Sequence, residues 1–258
     1  MSVKKLFDLT GRTALVTGGS RGLGLQMAEA LGELGAKVAI TARKPQELHE
    51  AGKHLRSMGI QAQPLVCDMS DIASIAPMVQ QVIAALGPID ILINNAGTAW
   101  GAATVDHTLD AWNKVINLNL TAMFAVTQEV GKHCMVPRKQ GKIINIASIQ
   151  GLTGFYPEMA ATLAYNTSKG GVVNFTRTLA YEWAKYNINV NAIAPGFFPT
   201  KMTKGILEHL GEETANMAPL KRVGGPEVLK GITAVFASDA CAFITGQIIA
   251  IDGGLTAI

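Results

Sequence analysis

Cysteine is scarce. Cys67, Cys134 and Cys241 are the three in 258 residues, far apart and odd in number. That argues against a disulfide framework and predicts reduced thiols packed inside a cytoplasmic protein. Long apolar runs are also missing: none approaches the ~18 residues that a membrane-spanning helix needs. The opening stretch, Met1 to Thr10, carries Lys4 and Lys5 but no apolar core, so no secretory signal is expected there. Net charge is slight, +3 from 22 basic and 19 acidic residues, and it is evenly spread. It offers no basic face for nucleic acid. The five histidines, His49, His54, His107, His133 and His209, are scattered, with no His-Glu-x-x-His segment and no Cys/His cluster. No bound metal is expected, and each histidine reads as a surface or hydrogen-bonded core residue. Linkers, low-complexity tracts and repeats are absent too, so residues 1–258 read as one domain.

What the chain has is glycine, 27 residues, and a 48% hydrophobic content ample for one continuous core. Short apolar runs alternate with helical stretches. Strands are expected at about 13–17, 37–41, 64–67, 89–94, 142–147, 187–193 and 248–251. Helices are expected at about 22–34, 45–58, from a cap at Ser70 or Asp71 to 86, then 109–133, 160–185 and 226–237. A flap over about 198–219, helical from about 200 to 217, precedes Pro219. Strand–helix alternation throughout predicts an α/β fold with a doubly wound parallel sheet.

The turn after the first strand is Thr17-Gly18-Gly19-Ser20-Arg21-Gly22-Leu23-Gly24. Glycines let backbone approach a pyrophosphate, and the helix that follows turns its positive end to it. Gly18, Ser20, Arg21, Gly22, Leu23 and Gly24 are therefore expected to line a dinucleotide. An NAD site ordinarily has an acid at the end of the second strand. Here that strand ends Thr41-Ala42-Arg43-Lys44. The missing acid, with Arg43 and Arg21 to clamp a 2′-phosphate, predicts NADP(H). Asp68, after the third strand, is expected either to meet the adenine or to cap a helix.

Tyr165 and Lys169 stand four apart and share one face of a helix. The lysine ammonium is expected to lower the phenol's pKa from its usual value near 10, and Ser148 to hold a substrate oxygen beside it. A second pair at the same spacing, Tyr181 and Lys185, lies 16 residues further along the helix, about 24 Å away. A crossover helix runs antiparallel to its strands, so Tyr165 falls at the ligand-binding edge and Tyr181 at the opposite one. Tyr181 and Lys185 therefore read as structural.

Together these residues resemble the short-chain dehydrogenase/reductase family over essentially the whole chain. The matching motifs are Thr17-Gly18-x-x-x-Gly22-x-Gly24, Asn94-Asn95-Ala96-Gly97, Asn119 within Asn117-Leu118-Asn119-Leu120, Ser148, Tyr165-x-x-x-Lys169, and Pro195-Gly196 followed by Thr200. The resemblance implies a Rossmann-type sheet of seven strands, a nicotinamide dinucleotide and a homotetramer. It implies Tyr165 as general acid/base, Lys169 as its pKa shifter and a ribose ligand, and Ser148 as carbonyl binder. It implies Asn119 as anchor of a proton-relay water, Asn95, Ala96 and Gly97 as lining the adenosine and ribose side, and Pro195, Gly196, Thr200 and the backbone at Phe198 as contacts near the carboxamide. Within the family the chain is similar to sugar-acid dehydrogenases that act like gluconate 5-dehydrogenase and to 3-oxoacyl-carrier reductases. The activity implied is hydride transfer between NADP(H) and a ketone or secondary alcohol, a small polar keto acid before a thioester. A dinucleotide sensor without activity is the alternative of another class, and the complete Ser–Tyr–Lys set argues against it.

Ser148 and Tyr165 are 17 apart, a few residues more than many members have. The added length in 151–162 is expected to supply a pocket wall from Phe155, Tyr156, Pro157 and Met159, or else to pack on a neighbouring subunit. Lys201 and Lys204 on the flap either attract an acidic substrate or carrier phosphate, or are simply solvated. Trp100 and Phe198 are expected to add apolar surface near the nicotinamide, and Trp112 and Trp183 to sit in a core or interface.

Overall fold

The computed structural model describes residues 2–154 and 161–257. Seven parallel strands form one sheet: β1 (Thr13–Thr17), β2 (Lys37–Ala42), β3 (Ala62–Val66), β4 (Ile91–Asn94), β5 (Gly141–Ile146), β6 (Ile188–Pro195) and β7 (Ile248–Ile251). Their order is β3-β2-β1-β4-β5-β6-β7, and every pairing is parallel. The chain winds outward from β1 to β3, returns to β4 beside β1, and winds the other way. This is the Rossmann-type topology, and the reversal opens a crevice between the C-terminal ends of β1 and β4.

The helices are α1 (Val3–Leu6), α2 (Gly22–Glu33), α3 (Pro45–Ser57), α4 (Ile75–Leu86), α5 (Leu109–Ile116), α6 (Ala122–Val130), α7 (Val136–Arg138), α8 (Leu163–Trp183), α9 (Lys204–Met217) and α10 (Val228–Ala237). They cover both faces of the sheet. Because successive strand side chains point to opposite faces, Val16 joins Met27, Leu31, Leu48 and Phe236 from α2, α3 and α10. Its neighbour Leu15 joins Val79, Val82, Val126, Val130 and Leu179 from α4, α6 and α8. Burial on both sides explains the unbroken apolar strands.

Several boundaries move for identifiable reasons. β3 begins at Ala62 and takes Pro64 into its interior, opposite Ile40. Only β2 pairs with it, so the missing N–H faces away from the ladder, as an edge strand permits. The helix expected over 109–133 continues to Arg138 but is broken into three α segments by π turns at Asn117–Thr121 and Gly131–Met135. α9 starts at Lys204 because Thr200 to Thr203 form a turn closed by their own hydroxyls. The short α1, capped by Ser2, has no signal in the apolar periodicity.

Candidate active site

The C-terminal ends of β1 and β4 are stitched together by one hydroxyl and one amide. Thr17 Oγ1 donates to the Ile93 carbonyl at 3.3 Å and accepts from the backbone N–H groups of Asn95 and Ala96 at 3.0 and 3.1 Å. Asn95 Nδ2 donates to the carbonyls of Thr17 and Gly18, both at 3.0 Å. A Cβ on Gly24 would fall 2.3 Å from the Gly18 carbonyl oxygen and 2.5 Å from Asn95 Nδ2, so no other residue fits there without opening the turn. Gly18 itself has φ +64°, a left-handed backbone that glycine adopts freely. Asn95 therefore shapes the turn with its side chain rather than extending it into the crevice. α2 starts with no side-chain cap, which leaves its first N–H groups available to an anion. These features fit a dinucleotide pyrophosphate. The base of the flap lies over the same turn, with Thr200 Cγ2 3.6 Å from the Cβ position of Gly22.

At the end of β5, Ser148 opens the 3-10 turn Ile149–Gly151 and its Oγ accepts the Gln150 N–H at 3.2 Å. The turn packs on α8 so tightly that a Cβ on Gly151 would sit 2.5 Å from the Lys169 carbonyl carbon. This contact brings Ser148 beside the Tyr165 phenol, near enough to pull its pKa down. Lys169 is buried one turn further along α8, its Nζ 5.6 Å from the Tyr165 ring centre. The ammonium donates to the Ile146 carbonyl at 2.6 Å.

The electrostatics differ from the expected ones. Burial pushes the Tyr165 phenol above its ordinary pKa, and the Ser148 hydroxyl only partly offsets that. The Lys169 ammonium donates to Ile146 and is itself desolvated. Burial brings the Lys169 pKa down to about 8. At neutral pH the pair is a protonated phenol beside a largely protonated amine.

Asn119 lies in the first π turn and is fully enclosed. Its Nδ2 donates to the Thr98 carbonyl and to Ser168 Oγ, both at 2.9 Å, and its Oδ1 accepts the Thr98 N–H at 2.8 Å. The side chain therefore pins the loop after β4 to α8. Both of its amide protons are committed in these bonds.

The outer contacts fall into place unevenly. Pro195 closes β6, and Gly196 N–H donates to the Ile251 carbonyl at 2.9 Å. Phe198 is buried in the core against Gly224, whose Cβ position would overlap its ring. Its side chain therefore adds no apolar surface to a nicotinamide pocket, and its carbonyl accepts from Thr203 Oγ1. Asp68 is exposed and holds the N–H and hydroxyl of Ser70 at 3.0 and 2.7 Å. The helical cap that follows is Asp71 instead, which accepts the Ala73 N–H. Arg43 is exposed at the end of β2, and its charge helps hold the Asp68 carboxyl below its ordinary pKa, after the Ser70 hydrogen bonds. Arg21 pairs with Glu47. Lys204 pairs with Glu208 at 3.5 Å, and Lys201 reaches Glu47 at 3.8 Å, towards the β2 end. Ser20 and Leu23 stay half-buried in the turn.

Tyr181 is 91% exposed at the far end of α8, and Lys185 lies over the Tyr186 ring instead. Trp183 packs on Gly131. Trp100 is half-exposed beneath Lys114, with the ammonium 5.5 Å from its ring centre. His54 and His133 pair with Glu29 and Glu129. His107 departs from its expected environment: both ring nitrogens are enclosed beside Trp112, with no hydrogen-bond partner among the described residues. The wall expected from Phe155, Tyr156, Pro157 and Met159 lies outside the described residues. A cavity of about 600 Å³ lies under the flap, between Phe197, Leu220, Val223 and Asp252, and Ser148, Tyr165 and Lys169 do not line it. Among the described residues no group of three His, Cys, Asp or Glu is placed to hold a metal ion. No described helix is long and apolar enough to cross a membrane.

Residues 12–211 match the family model for short chain dehydrogenase. The chain is 36% identical to a gluconate 5-dehydrogenase of Gluconobacter oxydans, over 99% of each chain. It is 37% identical to a rhamnolipids biosynthesis 3-oxoacyl-[acyl-carrier-protein] reductase of Pseudomonas aeruginosa, over 96% of this chain and 97% of that one. Among solved structures it is similar to a gluconate 5-dehydrogenase from Burkholderia cenocepacia in complex with NADP and tartrate, with a TM-score of 0.93 and 33% identity, each chain covered in full. By the family match, the shared sheet and the full-length relatives, this chain belongs to the short-chain dehydrogenase family.

Proposed function

We propose that this chain is an NADP(H)-dependent oxidoreductase that interconverts a ketone and a secondary alcohol, with a sugar acid or another small polar keto compound as substrate. The observation that carries the reading is the meeting of Ser148, Tyr165 and Lys169 beside the crevice at the sheet's C-terminal edge. Bound NADPH supplies the hydride. The turn from Gly18 to Gly24 and the open end of α2 would hold its pyrophosphate, and Arg21 and Arg43 its 2′-phosphate. Asp68, Asn95, Ala96 and Gly97 would border the adenosine side, and Pro195, Gly196 and Thr200 the nicotinamide side.

The chain's own groups then manage the substrate oxygen. Ser148 Oγ accepts the Gln150 N–H, and its hydroxyl proton, on the side of Tyr165, would donate to a carbonyl oxygen bound there. Tyr165, protonated at neutral pH, delivers its proton as negative charge develops on that oxygen. Lys169 favours the phenolate left behind, by its positive charge in a site with little water. Asn119 holds the loop after β4 against α8, which fixes the crevice wall. The reading extends to a cytoplasmic homotetramer. Three free, buried cysteines suit a reducing compartment, and Leu109 and Phe124 on α5 and α6 and Phe243 after α10 give apolar surface to assembly.

The test is oxidation of NADPH by purified protein with 5-ketogluconate, an acetoacetyl thioester, a small diketone and an aromatic ketone, NADH being run in parallel. Preference for the keto acid is expected. Preference for the thioester would replace the sugar-acid substrate with an acyl carrier, and an absence of any turnover would contradict the reading.

A further inference from the structure

Glu47, in the first turn of α3, is the anion on which three cations from three segments converge. Arg21 of the glycine turn pairs with its Oε2 through Nη1. Lys44, the N-cap of α3, reaches Oε1 at 3.3 Å, and Lys201, next to Thr200 at the base of the flap, reaches the same oxygen at 3.8 Å. Glu47 is the least exposed of the four, at 31% against 48, 51 and 61%. Desolvation would raise its pKa, but Arg21, Lys44 and Lys201 outweigh that and keep it ionised. The start of a helix adds its own preference for an anion. Arg43 stands beside Lys44 with Asp68 as its counter-charge. The cluster thus holds four positive groups, and one carboxylate engages three of them.

We propose that Glu47 is a built-in counter-ion of the site for the cofactor's ribose 2′-phosphate, and that Lys201 is the cation the flap contributes to that site. The inference rests on the NADP(H) reading above. A dianionic phosphate arriving at Arg21 and Arg43 meets cations already committed to Glu47, and must share them or displace the carboxylate. An unphosphorylated ribose makes no such demand and leaves the cluster as it is. Glu47 therefore weakens binding of the phosphorylated dinucleotide selectively, and Lys201 strengthens it selectively. Because Lys201 adjoins the flap, the same contact ties the 2′-phosphate to the segment that closes over the substrate.

Isothermal titration with adenosine 2′,5′-bisphosphate and with 5′-AMP, on the full chain at low salt, isolates this site from turnover. Wild type should prefer the bisphosphate. Glu47→Gln should bind the bisphosphate roughly three- to tenfold tighter, and Lys201→Gln roughly three- to tenfold weaker, with both AMP constants unchanged. Weaker bisphosphate binding by Glu47→Gln would make Glu47 an organiser of Arg21 and overturn the proposal. So would a Lys201→Gln variant that binds like wild type. Equal affinity of wild type for the two probes would remove the NADP(H) reading itself, whereas a clear wild-type preference with both variants unmoved would remove only the inference.

Discussion

Tyr165 and Lys169 begin in protonation states that suit reduction. The phenol is held above its ordinary pKa by burial, and the lysine is brought to about 8. Carbonyl reduction needs the phenol protonated, so kcat/KM for reduction should be level near neutral pH and fall at alkaline pH. Alcohol oxidation needs the phenolate and should rise over the same range. Paired pH–rate profiles in the two directions check this, and profiles that move together would contradict it. Arg43 makes a second case. Arg43→Ala should raise the Kd for NADPH and spare that for NADH, read by fluorescence titration. Equal effects on both cofactors would remove the phosphate clamp.

Among the elements, the contact of the Ile149–Gly151 turn with α8 does most to set the site. Gly151→Ala would place a methyl 2.5 Å from the Lys169 main chain and force the turn that carries Ser148 away from the helix. Overpacking of this kind costs about 1–3 kcal/mol. We expect kcat to fall about 10- to 100-fold, since misplacement by ~1 Å is enough for that, with the Kd for NADPH nearly unchanged. Stopped-flow and equilibrium titration of the variant separate the two effects. This contact also shows where the sequence stops being legible. The four-residue spacing of Tyr165 and Lys169, the glycine turn after β1 and the missing acid after β2 are local patterns, and each can be read without coordinates. Gly151 looks like any loop glycine until α8 is laid against it. Glu47 likewise reads as a first-turn acid with Lys44 beside it, because its other partners, at positions 21 and 201, reach it only in the folded chain. Pro64 misplaces the start of β3 for the same reason: only the strand order reveals that β3 is an edge. Phe198 follows the Pro195-Gly196 pair expected to border the nicotinamide, yet Gly224 takes its ring into the core.

For the whole molecule, the buried Lys169 links stability to pH. Its folded pKa of about 8 lies below the ordinary 10.5, so between those values the unfolded chain binds more protons than the folded one. Stability from this group therefore rises with pH across the window and is constant below it. The span corresponds to a cost on the order of 3 kcal/mol at neutral pH, which a bound dinucleotide can relieve by partnering the ammonium. Urea unfolding at pH 8 and pH 10 should show wild type gaining on Lys169→Met as pH rises, and parallel behaviour of the two proteins would contradict the assignment. The fold places a crevice, the Tyr165 phenol and the Ser148 hydroxyl at one edge of a single sheet, and the central claim is that Tyr165 is the proton donor there. The most direct measurement is Tyr165→Phe, with NADPH affinity by fluorescence and turnover of a substrate accepted by wild type measured on the same preparation. The account predicts a Kd within about twofold of wild type and a loss of turnover of about 10³-fold or more. Turnover within tenfold of wild type, with the cofactor still bound, would contradict it.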